Sequence, residues 1–490
     1  MGFLNMISLI GIFGLCAIAW LFSEDRNPKH FPWRVVAVGL LLQFVIGALV
    51  FIVPGIRELL QAASGLLNVV FDAADAGARF VFGRVLVPPT GQESFLLTPL
   101  TPGIESCAAD SIGQVVPGFC GIQLGYIFAF RVLPTVIFLS GLVALFYKLG
   151  AIQKLIHLFA KVFHRLMHLS GAESFSSTVN ILVGIEAAIA IKPYLAKLTR
   201  SELCTILACC FGTATSATIP SYVSILRPVF PNVLEHLVAA SILAIPASIL
   251  LSKILVPETG TPLTIWNMPH EKELANSTSS DASEEILYAK TAFRQLNWME
   301  AAILGALDGI KIALSIIGVV ILTLGFVYLL YEFMAWLTTL PQPIGGWFRI
   351  LSLTNILGAL SLPFTVLTGI SLDWNELWQA SLLMGRRVLE TAVLPYQTLA
   401  TTASGVGGQL FKARAVLILT YALAGFAHLA YWGIAVGGAI ALAPSRRRDI
   451  IGVSWKALLA GILATYMVAC FAGLFDGIFG MNALKILGTP

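Results

Sequence analysis

The sequence predicts an all-α polytopic membrane protein with eight transmembrane helices, two oppositely oriented re-entrant hairpins and an inverted repeat. The composition, a series of long apolar runs and two similar glutamate-containing segments lead to this prediction. Of the 490 residues, 57% are apolar and only 11% are charged, whereas an average soluble domain has about 25% charged residues. The mean hydropathy is +0.86. Because a soluble protein of this size needs a polar exterior, we expect the exterior to face lipid.

Eight segments are apolar over about twenty residues, which is the length that crosses a bilayer as a helix. They are 3–22, 35–53, 124–147, 203–225, 233–256, 308–338, 415–443 and 451–478. A secretory signal peptide is the competing interpretation of the first segment, but that segment has no basic start and no cleavage site of small residues. We therefore take it as the first membrane helix. The even number of helices places both termini on one side.

Basic residues gather in three loops, at 23–34, 148–170 and 444–449. Cytoplasmic loops carry an excess of Lys and Arg, so we expect these loops to be cytoplasmic and both termini to lie outside a bacterial inner membrane. The loop 87–123 then lies outside as well, where Cys107 and Cys120 could form a disulfide. The net charge of +4 gives no reason to expect a nucleic-acid partner.

Two further apolar segments, 174–200 and 378–405, do not read as simple spans. Each has a glutamate followed by a Pro-Tyr pair near its middle, namely Glu186 with Pro193-Tyr194 and Glu390 with Pro395-Tyr396. A helix–turn–helix hairpin that enters the membrane and returns fits both. Irregular backbone at membrane depth is tolerated only where it is buried in protein or lines a cavity, so we expect both hairpins to lie inside the molecule.

The two hairpins indicate an inverted repeat, because the topology starts one from the cytoplasm and the other from outside. Each is followed by a span interrupted by small or polar residues, CFGTATSATIP (Cys210–Pro220) and GFAHLAYWGI (Gly425–Ile434). Such folds bind substrates and ions near the midplane, where the broken helices meet. The predicted organisation is an N-terminal scaffold at 1–123, a first repeat at 124–256, a polar cytoplasmic linker at 257–297 and a second repeat at 298–490.

Glu186 and Glu390 are the first candidates for a binding site. A carboxylate at the centre of a membrane costs roughly 2.5–3.5 kcal/mol on insertion scales, so it persists where it has a partner or faces a cavity. Either carboxylate could bind substrate hydroxyls or a cation. The competing interpretation is a structural glutamate that caps a broken helix or pairs with Lys192 or Arg387.

Other polar groups lie near the interruptions. Neutral oxygens that could bind Na⁺ come from Asn180, Thr213, Thr215, Ser216 and Thr218, although small polar residues also pack membrane helices together. His428 could exchange a proton, since histidine titrates near neutrality, or it could be a buried neutral side chain. Tyr431 and Trp432 could stack on a flat ring or only pack. No nucleophile, phosphate-loop or dinucleotide motif occurs, so we do not expect an enzyme.

Several stretches of the chain resemble one transporter family. They are GARFVFG (Gly77–Gly83), FRVLPTVIFLSGLVALFYKLG (Phe130–Gly150), SGAES (Ser170–Ser174), NILVGIEAAIAIKPYLAKLTRSEL (Asn180–Leu203) and NWMEAAILGALDGIKIAL (Asn297–Leu314). In this order and spacing the sequence is similar to the concentrative nucleoside transporters. The resemblance implies eight core helices, two opposed hairpins, a homotrimer, and alternating access driven by a Na⁺ or H⁺ gradient, with no cofactor besides the coupling ion.

The resemblance also implies roles for individual residues. It gives Asn180 and Val183 to the expected Na⁺ site, which Thr215 and Ser216 of the interrupted span complete. The expected substrate site has Gly184, Ile185, Glu186, Glu390, His428 and Tyr431. Ile185, His428 and Tyr431 depart from the residues usual in the family at those places, and Glu390 stands at an altered spacing.

These observations favour a secondary active symporter that imports nucleosides or related ribosides. A second hypothesis keeps the fold and makes His428 the coupling group of a proton-driven transporter for a modified nucleoside or another polar solute. A membrane enzyme or a ligand-binding sensor is the third hypothesis, and the lack of a catalytic motif or a soluble signalling domain weighs against it.

Overall fold

The computed structural model describes most of the chain, with gaps. The described residues are 2–52, 69–70, 72–83, 86–87, 128–149, 163–182, 195, 198–214, 219–227, 229–262, 297–341, 348, 351–390, 393–403 and 411–476. Every regular element within these ranges is helical, as the sequence predicts.

The helices used below are numbered in chain order. They are α1 (Phe3–Leu21), α2 (Trp33–Ile52), α3 (Phe128–Lys148), α4 (Gly171–Leu182), α5 (Arg200–Gly212), α6 (Ile219–Leu226), α7 (Val233–Leu255), α8 (Trp298–Leu337), α9 (Leu353–Leu367), α10 (Trp374–Leu389), α11 (Val393–Ala403), α12 (Ala413–Leu423), α13 (Leu429–Leu442) and α14 (Arg447–Phe475).

Most of the predicted spans coincide with single helices. Within the described ranges, four helical stretches are long and apolar enough to cross a membrane, Phe3–Leu21, Trp33–Phe51, Val233–Leu255 and Pro444–Phe475. The predicted spans 124–147 and 308–338 correspond to α3 and to most of α8. The other two predicted spans, 203–225 and 415–443, are each divided, into α5 and α6 and into α12 and α13. The interruptions predicted in these spans are therefore present.

One element was not foreseen. Helix α9 has 15 residues, fewer than the roughly twenty that a full span needs, so a search for spanning segments passes over it. It packs along α10, where Gly358 and Gly385 allow close approach of the two backbones. A Cβ on Gly385 would lie 2.5 Å from the carbonyl oxygen of Leu357.

The chain forms two compact units. The smaller consists of residues 65–146 and 297–317. In it α3 crosses the first part of α8 through small residues, and a Cβ on Gly305 would lie 2.7 Å from the carbonyl oxygen of Ser140. Small residues at such crossings let membrane helices approach closely and gain packing contacts.

The larger unit consists of residues 1–64, 147–296 and 318–490. Its centre is formed by α5, α7 and α14, which pack on one another. Although α7 and α14 are apolar enough to face lipid, 89% of the spanning stretch of each is buried. In α1 and α2 only 33% and 28% are buried. The first two helices therefore lie at the edge of this unit, around a protein-enclosed core.

Polar contacts mark the two ends of the larger unit. At one end Glu24 pairs with Arg200 at 2.8 Å, and Arg200 also donates to the carbonyl of Gly452 at the start of α14. At the other end Arg414 pairs with Asp476 at 2.8 Å, next to Asn5 at the start of α1, which donates to the Asp476 carbonyl at 2.6 Å. The first end carries two of the basic loops predicted to be cytoplasmic, 23–34 and 444–449. The second brings the start of α1 beside the end of α14.

Candidate functional site

The two interrupted helices form the centre of the candidate site. Helix α5 ends at Gly212 and is followed by Thr213, whose backbone is extended (φ −96°, ψ 154°). Helix α13 begins after His428, which is also extended (φ −140°, ψ 159°). Residues 424–428 separate α12 from α13. An interrupted helix leaves carbonyl and N–H groups without their helical partners, and inside a membrane protein these groups must find other ones.

The two interruptions touch each other. A Cβ on Gly425, in the second interruption, would lie 2.5 Å from the carbonyl oxygen of Gly212, the last residue of α5. Only glycine allows two backbones to approach this closely. This contact brings α5 and the start of the second interruption together, and the inverted repeat itself stays a prediction.

Aromatic side chains surround this meeting point. The ring centroids of Phe211 and Tyr431 are 6.0 Å apart in an edge-to-face arrangement, and those of Phe426 and Tyr431 are 4.9 Å apart. Tyr222 lies 4.5 Å from Tyr396 and 6.3 Å from Phe426, again between centroids. All five side chains are buried. Of these five, only Tyr431 was predicted as a site residue. The other four were missed because aromatic residues are common in membrane helices and their contacts join segments far apart in sequence.

His428 is a helix cap. Its Nδ1 accepts a hydrogen bond from the N–H of Tyr431 at 3.2 Å, while its side chain is buried. This is the role that an N-cap side chain plays at a helix start. Because Nδ1 is an acceptor here, the ring is neutral and its proton is on Nε2. The arrangement favours the buried neutral histidine over the proton-exchanging one.

Asn180 lies on α4 against the last turn of α5. Its Oδ1 lies 3.5 Å from Cys210 Sγ, which is 30 residues further along the chain. Its Nδ2 is buried without a hydrogen-bond partner among the described residues. An unpartnered buried donor is costly and commonly marks the place of a water or another hydrogen-bond acceptor. The hydroxyl of Thr213 is directed elsewhere and donates to the Cys209 carbonyl at 2.8 Å.

Several predicted site residues lie outside the described residues. They are Val183, Gly184, Ile185, Glu186, Thr215 and Ser216, together with Cys107 and Cys120 of the predicted disulfide. The structure therefore brings Asn180, His428 and Tyr431 to the two interruptions, and the roles of the others stay predictions.

Glu390 lies at the end of α10 and binds α10 and α8. It follows α10 as its C-cap and is 5% exposed. Its carboxylate makes two contacts of 3.1 Å with the guanidinium of Arg386, and Tyr331 donates to it at 3.1 Å. The suggested pairing with Arg387 is wrong, and the partner is Arg386, which lies one helical turn before Glu390. Glu390 therefore caps α10 and forms an ion pair, which is the structural alternative given for this glutamate in the sequence analysis.

Arg387 points to the interruption instead. It is 1% exposed, and its guanidinium donates to the Ala422 carbonyl of α12 and, at 3.1 Å, to the hydroxyl of Thr465. From α11, Tyr396 donates to the Thr420 carbonyl at 2.9 Å. Helices α10 and α11 therefore both bind the last turn of α12.

The two hairpin segments begin at opposite ends of the larger unit. At the start of α4, Glu173 pairs with Lys253 at 2.6 Å, and Lys253 also donates to Ser201, the neighbour of Arg200. At the start of α10, Glu376 accepts from the N–H of Lys412 at 2.8 Å, two residues before Arg414. The first position lies at the end that holds Glu24 and Arg200, and the second at the end that holds Arg414 and Asp476.

Comparison with known proteins identifies the family. Three family models match: "Na+ dependent nucleoside transporter N-terminus" over residues 10–85, "Nucleoside recognition" over 129–229 and "Na+ dependent nucleoside transporter C-terminus" over 236–473. The uncharacterized transporter YutK of Bacillus subtilis is 30% identical over 473 residues, which cover 95% of this chain and 98% of YutK. The chain belongs to the concentrative nucleoside transporter family. It is thus an integral membrane transporter and not an enzyme.

Two further comparisons match this chain over nearly its full length. The nucleoside permease NupC of Helicobacter pylori is 28% identical, and the match covers 97% of this chain and 99% of NupC. A solved structure of CNTnw in an inward-facing substrate-bound state superposes with a TM-score of 0.74 at 30% identity, covering 98% of this chain and 99% of CNTnw. The family expectation from the sequence motifs is therefore confirmed.

Proposed function

We propose that this member of the family is a secondary active symporter that imports nucleosides or related ribosides by alternating access, driven by a cation gradient. The contact of Gly212 with Gly425 carries the proposal, because it joins the two helix interruptions beside a buried aromatic cluster. Interrupted helices supply backbone groups for substrates and ions at the midplane. Aromatic rings supply flat apolar surfaces on which a base could stack.

We further propose the site residues. Asn180, Val183, Thr215 and Ser216 hold the coupling cation at the first interruption, and Gly184, Ile185, Glu186, His428 and Tyr431 face the substrate. The amide oxygen of Asn180, which lies beside the last turn of α5, supports the first group. Glu390 was predicted to bind substrate, but its contacts with Arg386 and Tyr331 favour a structural role at the bend of the second hairpin.

Na⁺ is the coupling ion that the geometry favours. Protonation of His428 would place a hydrogen on Nδ1, which now accepts from the N–H of Tyr431, so a proton carried there would break the cap of α13. Oxygen ligands such as the Asn180 amide suit a hard cation. The competing function is proton-coupled transport of a modified nucleoside or another polar solute.

The wider architecture belongs to the same proposal. Eight spans, two opposed re-entrant hairpins within an inverted repeat, termini outside a bacterial inner membrane and a homotrimer in the bilayer are all expected. The opposite starts of α4 and α10 support the opposed hairpins, and the contact of Asn5 with Asp476 supports termini on a shared side.

Uptake into vesicles tests the function. Purified protein reconstituted into liposomes should accumulate labelled uridine or adenosine under an inward Na⁺ gradient, and the accumulation should stop when choline replaces Na⁺. Uptake that persists without Na⁺ and collapses with a protonophore would establish the proton-coupled function. Failure to accumulate any riboside of a broad panel under either gradient would overturn the proposal.

A further inference from the structure

Arg387 is the largest of the fully buried side chains among the described residues. Both of its terminal nitrogens donate to neutral acceptors, the Ala422 carbonyl and the Thr465 hydroxyl. Within the described part of the chain no carboxylate lies within ion-pair distance of it, and its Nε has no partner. A buried charge without a counter-ion costs several kcal/mol, so this guanidinium needs a compensating source of negative potential.

The end of α12 is that source. The last four carbonyls of a helix lack helical partners, and the helix end carries the equivalent of about half a negative charge. Ala422 lies in this last turn, and α12 stops at Leu423 because the chain is interrupted there. A half-helix C-terminus inside a membrane protein attracts a cation. At this interruption the positive group is the guanidinium of Arg387.

A side chain of the first hairpin segment also lies at the first interruption, but it is neutral. There Oδ1 of Asn180 on α4 accepts from Sγ of Cys210 in the last turn of α5. At the second interruption Arg387, on the helix of the second hairpin, reaches Ala422 in the last turn of α12. The first interruption thus has a neutral amide beside the last turn of α5, whereas the second has a fixed positive charge on the last carbonyls of α12.

We propose that Arg387 is a tethered cation that permanently fills the cation position of the second interruption, so that the transporter binds one mobile coupling cation per cycle, at the first interruption. The inference rests on the proposed cation-coupled function. Both terminal nitrogens of Arg387 bind the protein itself, so Arg387 is a positioning residue. By filling the second cation position it sets the coupling stoichiometry.

Stability measurements test the tethered charge without any transport. Arg387→Lys keeps the charge, whereas Arg387→Met keeps most of the length without it. We expect the lysine variant to have a Tm near that of the wild type. The methionine variant should have a lower Tm than the lysine variant. Millimolar methylguanidinium should raise the Tm of Arg387→Ala and leave the wild-type Tm unchanged. Equal losses in the lysine and methionine variants, or no rescue of the alanine variant, would overturn the tethered-charge assignment.

The reversal potential of substrate-coupled current in liposomes tests the stoichiometry. We expect one cation per substrate for the wild type and for Arg387→Lys. Arg387→Ala should need a second cation, seen as a doubled cation-to-substrate ratio and a steeper cation dependence. An unchanged ratio with an altered substrate KM would assign Arg387 to substrate binding instead and overturn the inference. If wild-type protein carries no riboside, the proposed function fails, while the Tm comparison still judges the charge at the helix end.

Discussion

The carbonyl oxygen of Gly212 and the α-carbon of Gly425 are in direct contact, and they join the two interrupted helices of the larger unit. A Cβ at residue 425 would lie 2.5 Å from that oxygen and 2.4 Å from Cγ2 of Thr465. Neither the carbonyl nor the buried α14 can move without shifting a helix. The contact therefore fixes how closely the two halves of the site approach.

Gly425→Ala should separate the interruptions. Overpacking a buried contact costs about 1–3 kcal/mol, so we expect a lower Tm and a large loss of uptake. The matched control is Gly437→Ala in α13, where a Cβ would meet nothing within 4 Å and where alanine favours the helix by about 1 kcal/mol. A Gly425→Ala protein with normal Tm and uptake would show that the contact is not needed.

Lys253 is predicted to be a stability determinant at the end that holds Glu24. Its ammonium lies 2.6 Å from Glu173 and 3.3 Å from Glu258, and Glu173 is 1% exposed. Lys253→Met leaves a buried carboxylate without its partner, which costs about 3–5 kcal/mol. We expect a strongly lowered Tm, measured by thermal unfolding in detergent.

Two variants qualify this result. Lys253→Met combined with Glu173→Gln should recover part of the lost Tm, because the unpaired charge is removed as well. Lys311→Met breaks the exposed pair with Asp308, and exposed pairs contribute about 0–1 kcal/mol, so its Tm should stay close to that of the wild type. If the double variant is no more stable than the single one, charge pairing is not the cause.

The sequence was sufficient for the long apolar helices and for the interruptions, although not for the short α9, because both follow from local composition. Long apolar runs predict α1, α2, α7 and α14, and the small residues around Gly212 and Gly425 predict the breaks. It was insufficient for contacts that depend on helix phase. Arg386 and Arg387 both lie near Glu390 in sequence, and only the orientation of α10 decides that the first pairs with the glutamate while the second turns to α12.

Long-range partners were also beyond the sequence. Tyr331 contacts Glu390 across 59 residues, and Tyr222 meets Tyr396 across a still longer separation. Neither tyrosine stands in a motif that marks it, since buried aromatic residues are frequent in any membrane bundle. The partners of Arg387 were also not predictable. An arginine suggests a salt bridge, but its partners here are a backbone carbonyl and a hydroxyl from distant segments.

Asn180→Ala should weaken cation binding. The substitution removes the amide that faces the first interruption but leaves the α4 backbone in place. A lost ligand worth about 1.4 kcal/mol raises the half-saturating Na⁺ concentration about tenfold, and the KM for substrate at saturating Na⁺ should change less. Uptake measured over a range of Na⁺ concentrations gives both values.

Asn375→Ala is the control for this prediction, because Asn375 is an exposed asparagine at the start of α10. Its Na⁺ dependence should match that of the wild type. An Asn180→Ala protein with unchanged Na⁺ dependence would remove Asn180 from the cation site and would favour packing as its role.

His428 can be tested as a cap and as a proton carrier with the same pair of variants. Asparagine is a good N-cap and can still accept from the N–H of Tyr431, whereas alanine cannot, and losing a cap costs about 1 kcal/mol. We therefore expect His428→Asn to keep the wild-type Tm and His428→Ala to lower it. Neither variant should change the pH profile of Na⁺-driven uptake if the ring stays neutral throughout the cycle. A profile that flattens in both variants while the Tm of His428→Asn is normal would identify His428 as a titrating group and would support proton coupling, because asparagine replaces the cap but cannot carry a proton.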